Sequence, residues 1–206
     1  MTFFREIIPG VFTWSEFSGE KQLNFNGHFL KRQGESVLID PPPLDEEGQA
    51  ELDALIENLR DFPLKGILLT NVHHDRGSRE LAKRYSVPIW IHEADKALLE
   101  FKPDATFRDG ETLPCGLKVV HLRDQKSPGE SAFFDEAHKV LWVGDALIGK
   151  VPGKVNLLPA DKYRDVNQAK KSLAVLLGYD FDALLVGDGE PILKGARNAV
   201  AEFIEG

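Results

Sequence analysis

The segment that most constrains the fold is a short apolar run followed by a polar loop, a helical pattern and a second apolar run. Residues 66–70 read Gly-Ile-Leu-Leu-Thr, residues 78–85 have helical spacing, and residues 87–91 are again mostly apolar. A strand, a loop, a helix and a strand in this order are typical of layered α/β folds. Such folds bind ligands at the carboxyl ends of strands, so we expect the loop 70–77 to carry the functional site.

Strands and helices recur in two similar halves of the chain. The first forty residues predict antiparallel strands with a hairpin turn at Gln33 and Gly34, and residues 45–59 predict a helix. The second half predicts, in order, a helix at 93–101, strands at 117–122, 131–134 and 139–143, a helix at 165–177, a strand at 183–186 and a helix at 191–204. Residues 149–158 are rich in Gly and Pro and predict a long loop, which either covers the site or is an ordinary connection.

Composition limits the classes of protein to which the chain can belong. Its 206 residues, 42% of them hydrophobic, suit one compact domain over residues 1–206. A net charge of -8 without a basic run argues against nucleic-acid and anionic-membrane partners. The N-terminus lacks a signal-peptide pattern and no apolar run has membrane-spanning length, so we expect a cytoplasmic protein. The single cysteine, Cys115, is expected to be a small buried hydrophobic residue.

The polar loop reads Thr70-Asn71-Val72-His73-His74-Asp75-Arg76-Gly77, and further short motifs occur before and after it. These are Asn26-Gly27-His28-Phe29-Leu30, Val37-Leu38-Ile39-Asp40, Ser127-Pro128-Gly129, Leu141-Trp142-Val143-Gly144-Asp145 and Gly187-Asp188-Gly189-Glu190-Pro191. In this order they resemble the metallo-β-lactamase fold superfamily over nearly the full chain. The resemblance implies a four-layer αβ/βα sandwich whose active site lies at one edge, between two sheets, and holds two zinc ions.

The resemblance also assigns seven metal-ligand positions, and only some of them keep a ligand residue. The positions fall on Asn71, His73, Asp75, Arg76, Lys126, Asp145 and Asp188. Three of them, His73, Asp75 and Asp145, match the superfamily's ligands. Arginine stays protonated in proteins, and a lysine must lose its proton before it can bind a metal. We therefore expect a degenerate, metal-free pocket without a cofactor, in which Arg76 and Lys126 form ion pairs with the three aspartates.

Two catalytic alternatives remain at the level of sequence. In the first, one divalent ion (zinc, manganese, iron or magnesium) binds His73, Asp75, Asp145 and Asp188 and supports a metal-dependent hydrolase. In the second, His73 is a metal-free general base that Asp75 or Asp145 orients. No Gly-x-Ser-x-Gly motif marks a covalent nucleophile.

The pocket is also a candidate binding site for a small anionic molecule. Arg76 and Lys126 are joined by three further cations in nearby sequence segments, Arg123, Lys150 and Lys154. The simpler interpretation is that ion pairs with the aspartates neutralise Arg76 and Lys126 and that water solvates the other three cations. His74 is expected to be structural or solvated, because its neighbour His73 points the other way on an extended loop.

Overall fold

The computed structural model describes residues 4–206, so the N-terminal residues 1–3, part of the segment that lacks a signal pattern, lie outside it. The described chain is an α/β protein. Its helices are α1 (Glu46–Asn58), α2 (Ser78–Tyr85), α3 (Val166–Ser172) and α4 (Ala196–Glu205). Its strands are β1 (Arg5–Ile8), β2 (Val11–Ser18), β3 (Leu23–Arg32), β4 (Glu35–Ile39), β5 (Leu64–Leu68), β6 (Ile89–His92), β7 (Ala105–Phe107), β8 (Thr112–Leu113), β9 (Leu117–His121), β10 (Ser131–Asp135), β11 (Val140–Val143), β12 (Ile148–Val151), β13 (Lys154–Asn156) and β14 (Ala183–Val186).

The strands form two large sheets and a small hairpin. The first sheet has the order β1-β2-β3-β4-β5-β6-β7, and the second has the order β14-β11-β10-β9-β8. Strands β4 to β7 run parallel to one another, and β14 runs parallel to β11. The carboxyl ends of β4, β5, β11 and β14 therefore carry the segments that follow them to one edge of the sandwich, where layered α/β folds bind ligands.

Three apolar clusters define four layers. One cluster lies between the sheets and joins residues such as Leu30 and Ile39 to Phe133 and Trp142. A second packs α1 and α2, through Leu52 and Leu81, on the outer face of the first sheet. The third packs α4 and the 3-10 segment between α3 and β14 on the outer face of the second sheet. The αβ/βα sandwich expected from the sequence is confirmed.

Local sequence explains where two of the helices begin and where the β3–β4 hairpin turns. Asp45 caps α1 by accepting a hydrogen bond from the Gly48 backbone N–H at 2.8 Å, and acidic residues fill the first turn. Asp165 caps α3 in the same way. The β3–β4 hairpin turns at Gln33 and Gly34, which both have positive φ, as the sequence predicts. Cys115 is buried, also as expected, and so are Trp14 and Trp142.

Four predicted segments differ from the structure. Residues 93–101 form turns rather than a helix, because the side chain of Asp95 bonds backbone groups of other loops at this point. The helix predicted over 165–177 ends at Ser172 and continues as the 3-10 segment Leu173–Gly178. The last helix begins at Ala196, because Ile192 bridges to Leu184 of β14. Finally, residues 149–158 contain most of the β12–β13 hairpin instead of an irregular loop.

No α-helix within residues 4–206 has the length and apolar character needed to cross a lipid bilayer.

Candidate functional site

The candidate site lies where backbone hydrogen bonds tie the two sheets together. The Asn26 N–H of β3 donates to the Gly187 carbonyl at 2.7 Å, and the Ser131 N–H of β10 donates to the Thr70 carbonyl at 2.9 Å. The Asn26 side chain also donates to two carbonyls beside Asp188. These bonds fix the loops that follow β5 and β14 against each other, so their polar side chains meet at one edge.

Arg76 and Asp188 form the first ion pair of the site. The guanidinium Nη2 lies 2.6 Å from Asp188 Oδ1, and both side chains are about nine-tenths buried, with relative exposures of 12% and 11%. The Arg76 guanidinium also stacks on the Phe25 ring, with its central carbon 4.2 Å from the ring centroid. The pair is therefore held by packing as well as by charge.

Lys126 and Asp145 form the second ion pair. Lys126 Nζ lies 2.7 Å from Asp145 Oδ2, and the Asp145 carboxylate is almost fully buried at 5% exposure. Burial favours the neutral acid, but the hydrogen bonds and charges of His74 and Lys126 hold the pKa of the Asp145 carboxyl well below its usual range. The ion pairs that the sequence predicts for Asp145 and Asp188 are confirmed.

His74 lies at the centre of the site, whereas the sequence analysis predicted a structural or solvated role for it. A 3-10 turn over Val72–His74 follows β5, and it directs the His74 ring inward. His74 Nδ1 donates to Asp40 Oδ2 at 2.7 Å, while Nε2 lies 3.6 Å from Asp145 Oδ1. A side chain at Gly187 would collide with this ring, so the glycine makes room for it.

The pKa of His74 is raised by the two carboxylates that it contacts. Burial and the nearby Arg76 charge oppose protonation, but Asp40 and Asp145 outweigh them and raise the pKa to about 10. His74 is therefore an imidazolium at neutral pH. Together with Arg76 and Lys126 it provides three positive charges against the carboxylates of Asp40, Asp145 and Asp188.

The remaining predicted residues of the loop have different environments. Asn71 is fully buried, where its amide accepts a hydrogen bond from the His73 N–H and donates to Glu130. Glu130 is buried too, and burial together with the charge of Asp145 raises its pKa well above the ordinary value. His73 is exposed beside Lys126; partial burial and the Lys126 charge lower its pKa, so its ring is neutral.

Asp75 does not join the ion-pair network that the sequence predicts for three aspartates. Its carboxylate accepts a hydrogen bond from the Arg76 backbone N–H at 2.9 Å, not from a cationic side chain. The 3-10 turn is the physical reason, because it turns His74 towards Asp145 and leaves Asp75 on the far side of the loop. The resemblance assigned His73 and Asp75 to a shared cluster, whereas the structure gathers His74, Asp145 and Asp188.

Above these ion pairs is a cavity of about 410 Å³, which we call the cationic cavity. Its walls include Arg76, Lys126 and three further lysines, Lys21, Lys150 and Lys162. Of the three cations that the sequence groups with Arg76 and Lys126, Lys150 lines this cavity but Arg123 and Lys154 do not. The β12–β13 hairpin supplies Lys150, since Gly149 lies against Gly189 and bridges to it.

The other histidines have structural environments. His28 is buried under the site, and burial lowers its pKa to about 4 despite the nearby Asp40. His92 stacks on His121, with ring centroids 4.3 Å apart, and neither lines the cationic cavity. His138 lies in the β10–β11 hairpin turn, as expected, and contacts Asp135.

Comparison with known proteins identifies the family to which this fold and site belong. The family model described as the metallo-beta-lactamase superfamily matches residues 6–206. The chain belongs to the metallo-β-lactamase superfamily. Because the match covers both sheets and the site between them, the superfamily's ligand positions can be compared with these residues one by one.

Solved structures of superfamily enzymes have the same fold. The metallo-beta-lactamase from Pontibacter korlensis superimposes with a TM-score of 0.78 and 20% identity, covering 98% of each chain. DIM-1 metallo-beta-lactamase has a TM-score of 0.76 and 16% identity, covering 97% of this chain and 96% of its own. An uncharacterized protein of Aquifex aeolicus (strain VF5) is 25% identical over 171 residues, 73% of this chain and 77% of the relative.

The buried Arg76–Asp188 pair should contribute strongly to stability. Replacing Arg76 by Met leaves the Asp188 charge uncompensated, and we expect a loss of about 3 kcal/mol in the free energy of unfolding. The double variant Arg76→Met/Asp188→Asn should recover most of that loss, because both charges are gone. Arg84→Met is the control: it breaks a more exposed pair with Asp53 and should cost much less than Arg76→Met does. Urea unfolding measures all four proteins, and equal losses for Arg76→Met and Arg84→Met would contradict the interpretation.

His74 should make stability fall as the pH rises above neutral. Its pKa is about 10 in the folded chain and about 6.5 when unfolded, so its stabilising charge is fully present below pH 6.5 and is lost towards pH 10. Between pH 6.5 and 9, the free energy of unfolding should fall by up to about 1.4 kcal/mol per pH unit. Urea unfolding across this range should show the slope in the wild type and a much flatter profile in His74→Gln. A pH-independent wild type would show that His74 is neutral.

Proposed function

We propose that this chain is a metal-independent member of the metallo-β-lactamase superfamily whose cationic cavity binds a small organic anion. One observation carries the proposal. Two positions that the superfamily gives to zinc-binding histidines hold Arg76 and Lys126, and each cation is paired with a carboxylate within 2.7 Å. The charge that a metal pair would bring to this edge is supplied by the chain itself.

The chemistry of the donor set supports the absence of a zinc pair. Zinc needs neutral imidazoles, thiolates or carboxylates at about 2 Å in a nearly complete shell. Arg76 offers no lone pair, and Lys126 Nζ already donates to Asp145. Asp40 and Asp145 raise the pKa of His74, so a zinc ion at this ring would have to displace its proton. The residues at this edge therefore do not fit two zinc ions, and they form a balanced set of three cations and three carboxylates.

The walls of the cationic cavity support an anionic ligand. Lys150 has no ion-pair partner within the described part of the chain, so its charge is available at the cavity wall. Lys21 and Lys162 pair only with the exposed neighbours Glu20 and Asp161. The walls of the same cavity also include five apolar residues, Leu23, Phe25, Ile148, Leu158 and Pro159. A carboxylate or phosphate with an apolar portion would satisfy both kinds of wall.

A metal-dependent hydrolase is the second candidate, and one observation favours it. His74 Nε2 and carboxylate oxygens of Asp145 and Asp188 lie within 4.8 Å of one another. Asp40 binds the other nitrogen of the His74 ring, as carboxylates do for many metal-bound histidines. A single ion on this set would compete with Lys126 and Arg76 for the carboxylates of Asp145 and Asp188. This set of ligands differs from the one predicted from sequence. It contains His74 in place of His73, and it does not contain Asp75.

A metal-free general base at His73 has less support. Within residues 4–206, no hydrogen bond from Asp75, Asp145 or another residue orients the His73 ring. A general base in an enzyme is normally held by such a partner. His73 is therefore a wall residue in the proposed function, and the role of Asp75 is that of a charged group on the neighbouring surface.

Anion binding can be measured with simple probes. Hexanoate and phenyl phosphate should bind the purified wild-type protein in isothermal titration calorimetry, and an excess of EDTA should leave the affinity unchanged. Lys150→Gln should weaken both by about fivefold, the equivalent of one solvent-accessible ion pair. Lys154→Gln is the matched control on the same hairpin, outside the cavity, and should bind as wild type does. Loss of binding in EDTA, or equal effects of the two lysine variants, would contradict the proposal.

A further inference from the structure

A second cavity, of about 610 Å³, adjoins the cationic cavity. We call it the acidic cavity, and its walls include Asp75, Leu98, Leu99 and Glu100. His73 and Lys126 line both cavities. A ligand in the cationic cavity that extends past these two side chains enters the acidic cavity directly.

The two cavities differ in charge. The cationic cavity has five Lys and Arg side chains beside Asp145 and Asp188. The acidic cavity has Asp75 and Glu100, and its one cation, Lys126, is held by Asp145. Neither Asp75 nor Glu100 forms an ion pair within the described residues. Their negative charges therefore face the cavity without a compensating cation.

Apolar groups lie beside the acidic residues. Leu98 is 54% exposed, and Leu99, Val72 and Pro128 line the same cavity. An exposed leucine in a concave wall is a surface that a ligand's apolar portion would cover.

We propose that the ligand is a two-part, zwitterionic molecule: an anionic group lies in the cationic cavity near Lys150, an apolar segment passes His73, and an ammonium or similar cation meets Asp75 and Glu100. The inference rests on the proposed function, because it extends the ligand from the anion site. It defines a chemical class, amino acids and short peptides or their analogues with separated charges. Charge complementarity at both ends gives this class its selectivity over simple anions.

Pairs of ligands that differ only by an amine test the inference. Butanoate, hexanoate and octanoate are titrated into the wild-type protein by calorimetry beside their ω-amino derivatives. For at least one chain length, the amino derivative should bind about threefold or more tightly than the parent acid, as one additional ion pair at a partly exposed site would give. Glu100→Gln should bring that ratio close to unity, and Glu136→Gln, an exposed residue in the β10–β11 turn, should leave it as in wild type.

The outcomes separate the inference from the proposed function. If the parent acids bind as tightly as the amino derivatives at every chain length, the zwitterionic class is wrong while anion binding stands. If none of the acids binds, with or without the amine, the proposed function fails and the inference with it. If Glu100→Gln keeps the full advantage of the amine, the acidic cavity is not where the cation binds, and the inference is overturned. Because Glu100 is exposed, its replacement is not expected to disturb folding.

Discussion

The structure depends on how three buried carboxylates, Asp40, Asp145 and Asp188, are neutralised at the seam between the two sheets. A carboxylate removed from water is strongly destabilised unless a cation or several donors face it. His74 lies between Asp40 and Asp145, Lys126 binds Asp145, and Arg76 binds Asp188. The loops after β4, β5, β11 and β14 meet through these contacts. The same ion pairs thus organise the edge of the sandwich and line the cationic cavity.

Much of the fold was predictable from sequence because its elements follow local rules. Residues 78–85 have helical spacing and form α2, and Asp45 begins α1 as a capping aspartate. The helix predicted at residues 93–101 does not form, because local propensity does not include tertiary hydrogen bonds. There, buried Asp95 accepts hydrogen bonds from the Val72 N–H, the Gly129 N–H and the Ser127 hydroxyl, and these hold the segment in turns. A local sequence pattern does not show that a side chain forms hydrogen bonds with two distant loops.

The site was predictable in its charges but not in its geometry. Through the resemblance to a known family, Arg76 and Lys126 were predicted to pair with three aspartates. The structure pairs Arg76 with Asp188 and Lys126 with Asp145. The sequence did not predict that His74, rather than His73, turns towards Asp145, because alternation on an extended loop assumes a straight backbone. The 3-10 turn Val72–His74 breaks that alternation. The Asn71 side chain, which accepts from the His73 N–H, was the available signal, since an Asx residue at this position favours such a turn.

Metal content tests the central claim most directly. The protein is produced in zinc-containing medium, purified without chelators or metal-affinity resin, and measured by elemental analysis beside a zinc-dependent superfamily member treated identically. We expect the zinc-dependent protein to retain its metal and this chain to contain far less than one equivalent of zinc, iron, manganese or magnesium. A near-stoichiometric content of any of these, lost when His74, Asp145 or Asp188 is replaced, would contradict neutralisation by the chain's own cations.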